Sequence, residues 1–235
     1  MPVLTVERLL SQLGFGSRKE SRGLVRMGLV EIAGVVLEDP FQELPVIPET
    51  IRVNGEDIAT QMKLYVMLHK PLGIECSHNP QHHDSVFSLV PAHWQGMEIR
   101  SVGRLDVDSS GLLLLSNQGD FIHRVESPKK GTLKRYVATL ARPFEKEQKA
   151  ELTSGVMLKN EKRPVVAREL KVLGERQVEI AIGEGLYHQV RRMFAAVGNH
   201  VETLHRISIG EVVLDPKLAP GEWRPLTEAE IASLS

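Results

Sequence analysis

Gly103-Arg104-Leu105-Asp106-Val107-Asp108-Ser109-Ser110-Gly111-Leu112-Leu113-Leu114-Leu115 is the stretch from which the rest of the chain can be read. Two glycines bracket a polar turn, and glycine tolerates the left-handed or strained backbone such turns use. The leucine run is too short for a helix and suits a strand covered on both faces. The turn therefore holds a carboxylate, Asp106, at the mouth of a core strand, where it can act on a ligand. A calcium loop would also alternate oxygen ligands at Asp106, Asp108 and Ser110 before Gly111. Its twelfth position requires a bidentate Glu, and this chain has Asn117 there. A phosphatase-type Asp-x-Asp follows its strand, whereas this pair precedes one. A plain structural turn, with Asp108 and Ser109 satisfying backbone donors, is the reading that remains open on these residues alone.

The chain has 235 residues, enough for one large domain or a large and a small one. Lys and Arg number 29 against 30 Asp and Glu, for a formal net charge of −1. This balance argues against a strongly basic coat but leaves room for local positive patches. One lies at Arg18, Lys19, Arg22 and Arg26, the other at Lys129, Lys130, Lys134 and Arg135. No apolar run is long enough to span a membrane, and the opening Met1-Pro2-Val3-Leu4-Thr5 does not read as a signal peptide. The single cysteine, Cys76, excludes an internal disulfide and points to a reducing, cytoplasmic location. The histidines show no metal-ligand spacing, so no metal is expected.

Val6, Leu9, Leu10 and Leu13 recur at helical spacing, and Gly14 and Gly16 end that helix. Ser17 with Glu20 forms a capping box for a second helix that closes near Gly28. Arg18, Arg22 and Arg26 stand four apart on it, with Lys19 adjacent, so they line one side. Alternation about Ala33-Gly34 predicts a hairpin, and a second is expected around Asn54-Gly55. Residues 1–59 are read as a small module, 60–63 as a linker and 64–235 as the large domain. Strands are expected at Tyr65 to Leu68, Tyr136 to Leu140, Val165 to Val172 and Val178 to Ile182. Helices are expected near Lys146 to Thr153, Gln189 to Val197 and, capped by Thr227 with Glu230, at the C-terminus. Strands and helices mix without regular alternation, which predicts an α+β fold with a mixed, mainly antiparallel sheet.

The aspartate-bearing turn resembles the catalytic loop of pseudouridine synthases, in which the Asp is essential. Lys70-Pro71-x-Gly73 resembles that family's opening motif, Lys134-Arg135-Tyr136-Val137 its second, and Gln189-Val190-Arg191-Arg192-Met193 its third. The first helix, the basic helix and Leu29 to Val36 resemble the RNA-binding module named after the fourth protein of the small ribosomal subunit. The order of module and catalytic domain resembles the RsuA-type branch. Tyr187-His188-Gln189, Gly198-Asn199-His200 and Leu204-His205-Arg206 resemble the members acting on small-subunit ribosomal RNA.

The resemblance implies a cofactor-free isomerase whose partner is ribosomal RNA, naked or in an assembling particle; a monomer is the default expectation. Breaking and remaking a glycosidic bond on an extruded base needs an ionised carboxylate, a partner keeping it ionised, a ring and cations on the phosphates. Asp106 supplies the carboxylate. At about 100° per residue, Arg191 lies at the edge of the apolar face formed by Val190, Met193, Phe194 and Val197, while Arg192 points to solvent or RNA. Arg191 is therefore expected to reach inward and pair with Asp106, as the third motif also implies. The resemblance assigns Tyr136 to stacking on the base and Arg104 to holding it out of the helix. It implies phosphate contacts for Lys134 and Arg135, and an RNA-docking helix for Arg18, Lys19, Arg22 and Arg26.

Overall fold

A computed structural model describes residues 4–60, 63–127 and 130–234. Gln61 and Met62 of the expected linker, and Lys129 of the second basic patch, lie outside the described residues. The chain forms two compact units, residues 4–64 with Val90–Arg100, and Tyr65–Leu89 with residues 101–234.

In the first unit, helix α1 (Val6–Gln12) buries the stripe its spacing predicts: Val6, Leu9, Leu10 and the following Leu13 are all within 3% of full burial. Each such side chain contributes roughly 2 kcal/mol of transfer free energy. Helix α2 (Arg18–Arg26) starts at the Ser17–Glu20 capping box and turns Ser21 and Val25 inward. A four-stranded sheet follows, ordered Val35–Val36, Val30–Ile32, Thr50–Val53, Glu56–Ala59. Ala33-Gly34 and Asn54-Gly55 have positive φ at both positions, the geometry that matches a two-residue hairpin to the twist of its strands. Residues Val90–Arg100, although flanked by the second unit's chain, join this one. Phe15 stacks on His93, and a Cβ at Gly14 would lie 2.0 Å from the His93 carbonyl oxygen. Gly14 therefore serves a close approach as well as ending α1.

The second unit is built on strands β1 (Tyr65–Lys70), β2 (Ser109–Ser116), β3 (Lys134–Leu140), β4 (Glu169–Gly174), β5 (Gln177–Ile182), β6 (Val201–Ile209) and β7 (Trp223–Pro225). They run in the order β4-β5-β3-β6-β2-β1-β7. All neighbours are antiparallel except β2 and β6, so the sheet is mixed and mainly antiparallel. Leu112 to Leu115 are fully buried, as expected of a strand covered on both faces. Helices α3 (Gly119–Glu126), α4 (Lys146–Ser154), α5 (Gln189–Ala196) and α6 (Glu228–Ser233) complete the unit. Helix α5 buries Val190, Met193 and Phe194 in the core that holds Leu105 and Tyr136. The strand expected from Val165 begins only at Glu169, because Val165 is taken by a lone bridge to Val156.

Register across the sheet positions the site. Gly111 on β2 pairs with Lys70 on β1 and with Arg206 on β6, and Arg206 pairs with Tyr136 on β3. Paired residues share a face, so one rung carries Lys70, Gly111, Arg206 and Tyr136 side by side.

Candidate active site

The turn before β2 is fixed by backbone and by one buried cation. Ser109 N–H donates to the Asp106 carbonyl at 3.1 Å, and Gly73 N–H to the Val107 carbonyl at 2.8 Å. Gly103, at φ +70°, opens the turn and donates its N–H to the Glu126 carboxylate. Lys70, fully buried, directs its Nζ to the carbonyls of Pro71, Asp106 and Ser109 at 3.0, 3.0 and 2.9 Å. Those acceptors use all the donors an ammonium has, which is what makes so costly a burial tolerable. Burial still pushes the lysine pKa below its ordinary range. Lys70 is thus a clamp on the loop, a role that the sequence motif alone did not disclose.

Asp106 faces a cleft of about 420 Å³ whose walls include Cys76, Arg104, Asp108, Tyr187 and His188. Burial in this wall raises the Cys76 thiol above its usual range. Facing Asp106 is His188, with Nε2 3.4 Å from Oδ1 and each side chain about one-third exposed. His188 caps α5 in the left-handed region, φ +46° and ψ +35°, a conformation that costs a non-glycine residue roughly 1–2 kcal/mol. The side chain of Gln189 holds that turn by accepting from Leu186 N–H and donating to Glu184.

The expected Arg191–Asp106 pair is not formed. Arg191 does reach inward from the edge of the apolar face, but its guanidinium meets Asp108, bonding the carboxylate and the carbonyl, each at 3.0 Å, and the Val201 carbonyl at 2.8 Å. From the first turn of α5 it spans the loop and the start of β6, tying the two together two residues along the loop from Asp106. Arg192, expected to face solvent or RNA, is bonded to Glu161 and to the carbonyls of Tyr187 and Lys159.

Tyr136 is 7% exposed and does not line the cleft; its hydroxyl lies 3.4 Å from Arg206 Nη1. Arg206, 2% exposed, also donates from Nε to the Leu112 carbonyl and leaves Nη2 buried with no hydrogen-bond partner among the described residues. Sequence reasoning offers Arg206 only as part of a resembling motif, since the strand that buries it is not among the expected elements.

The expected RNA-facing cations divide into two sets. Arg22 is paired with the buried Glu7, which its hydrogen bond holds below the usual carboxylate range. Arg135 is paired with Glu169 and Glu179 across the sheet, and Lys134 donates to the Thr132 carbonyl. Arg18, Lys19, Arg26 and Arg104 carry no hydrogen bond or ion pair to a described residue and are exposed. Among the described residues no cluster of three or more His, Cys, Asp or Glu side chains is arranged to hold a metal ion.

RNA pseudouridylate synthase is the family whose sequence profile matches residues 64–196, and this chain belongs to that family, whose members isomerise uridine to pseudouridine. Over 230 residues the chain is 40% identical to the ribosomal small subunit pseudouridine synthase A of Escherichia coli, covering 96% of this chain and 97% of that one. Its counterpart from Haemophilus influenzae is 45% identical over 221 residues, covering 93% and 94%. A crystal structure described as a pseudouridylate synthase superposes with a TM-score of 0.70 at 36% identity, covering 99% of this chain and 100% of that chain.

Proposed function

We propose that this enzyme isomerises a uridine of small-subunit ribosomal RNA, with Asp106 as the nucleophile. The substrate is argued from the relatives, each named as a small-subunit enzyme and aligned over nearly its whole length. The observation that carries the nucleophile is the carboxylate of Asp106 facing an open cleft from a loop clamped by Lys70. With the base extruded into this cleft, the carboxylate bonds to C1′ of its ribose or to C6 of the uracil ring. The N1–C1′ bond breaks, the uracil turns, the C5–C1′ bond forms, the carboxylate's bond to the substrate breaks, and the C5 proton leaves as N1 gains one. His188 places its imidazole Nε2 3.4 Å from that carboxylate. Arg191 keeps the loop against α5 through Asp108, and Tyr136 lies below with Arg206. The first unit, with Arg18, Lys19 and Arg26 unpaired on α2, serves as the RNA-docking module. An enzyme of ribosomal RNA acts where ribosomes are assembled, so this reading carries a cytoplasmic location with it.

The test is tritium release from small-subunit RNA labelled at uridine C5. Wild type should release label, and Asp106→Ala should release none while binding the RNA within about threefold of wild type, because phosphate contacts dominate affinity. Release by Asp106→Ala would remove the nucleophile assignment. Release from large-subunit RNA alone would remove the substrate assignment.

A further inference from the structure

Tyr187 stands 72% exposed on the wall of the same cleft, the most exposed of the large apolar and aromatic side chains described in the second unit. One face of its ring lies on the His188 imidazole, centroids 3.9 Å apart and planes 16° from parallel. His188 is in turn fixed by its left-handed backbone and by its approach to Asp106. The phenol ring is thus backed on one side, while its exposure leaves the other side to solvent. Arg104, a cation without a hydrogen bond or ion pair to a described residue, lines the same cleft. An exposed aromatic face and an unpaired guanidinium in one cleft are the two elements that a single nucleotide needs, the face for its base and the cation for its phosphate.

We propose that Tyr187, backed by His188, is a stacking platform for an unpaired base flanking the target uridine, with Arg104 on the adjoining phosphate. Extruding the uridine strips its neighbours of a stacking partner, and a preset ring beside the cleft replaces that partner. The platform accepts any base, since each has a π-face. It therefore adds affinity for the opened conformation of the RNA and no sequence readout. The proposal rests on the reading of this cleft as the active site.

The test uses the whole protein and small-subunit ribosomal RNA. Tyr187→Ala should raise KM about tenfold, the loss appearing in KM far more than in kcat, while Tyr187→Phe and Tyr187→Trp stay within about twofold of wild type. In an Asp106→Ala background, Tyr187→Trp adds an indole whose emission, taken as the difference from the Asp106→Ala protein, should be quenched when RNA binds. Unchanged KM in Tyr187→Ala, or an unquenched added indole, overturns the platform. Turnover by Asp106→Ala would overturn the active-site reading instead. Because the quenching arm needs no turnover, the two failures stay distinct.

Discussion

Asp106 and Asp108 are two residues apart, yet the fold gives them different partners: an imidazole for the first, a guanidinium fork for the second. The fork also reaches two backbone carbonyls, so Arg191 sets loop position by directional bonds that a point charge cannot reproduce. Arg191→Lys should therefore keep the charge and lose the alignment. Its kcat should fall about tenfold or more, since a small displacement of a reacting group is that costly. A kcat within twofold of wild type in steady-state tritium release would refute the role. Sequence reasoning places Asp106 in a turn before a buried strand because turn chemistry is local. It finds the inward direction of Arg191 because helical periodicity is local too. The acceptor at the end of that side chain depends on a tertiary distance, and no spacing rule decides between carboxylates two residues apart. Lys70 and Arg206 are harder still, since buried cations are rare and their acceptors are mostly backbone carbonyls, which carry no side-chain signature.

Strand β6 is absent from the elements expected of the sequence, although it is the longest in the sheet. Its burial is interrupted by Glu202, Thr203 and His205, and its parallel partner β2 lies about 95 residues earlier, beyond any local pattern. Helix α3 is likewise absent from the elements expected of the sequence. The pairing of β2 with β6 is legible afterwards in Gly111, where φ is +108° and a Cβ would lie 2.2 Å from the Arg206 carbonyl oxygen. Gly111→Ala should cost about 3 kcal/mol, combining overpacking against backbone with left-handed strain. Urea unfolding measures it, and a loss below about 1 kcal/mol would mean the strands can part freely. The loop after β1 is held differently. Glu75 accepts backbone N–H groups from Gln81, His82 and His83, and the bond from His82 foremost keeps its carboxyl below the ordinary 4.5. A folded pKa below the unfolded one contributes stability above pH 4.5, lost as pH falls through the depressed value. Protection of those three amides, taken relative to the intrinsic exchange rate at each pH, should fall on acidification in wild type and already be low at neutral pH in Glu75→Gln. Protection that survives protonation would assign the loop's order to something else.

Across the whole molecule the near-neutral net charge conceals a sorting of cations. Arg22, Arg135, Arg192 and Arg224 are matched to carboxylates by the fold, whereas Arg18, Lys19 and Arg26 have no such partner among the described residues. Replacing those three by alanine should reduce the slope of log K against log salt by about 2, near 0.7 for each phosphate left without its cation. Arg22→Ala should instead lower stability, by stranding the buried Glu7, and leave the salt slope little changed. An identical slope in the triple variant would remove α2 from the RNA interface. The order of the strands has one more consequence, in time. β1 is flanked by β2 and by β7, which ends at Pro225, and the loop bearing Asp106 leans on β6. During translation the loop bearing Asp106 and strand β2 emerge about 95 residues before β6, and wait for it to be paired. A chain stopped short of β6 should therefore lack the tie from Arg191 to the Val201 carbonyl that holds this loop.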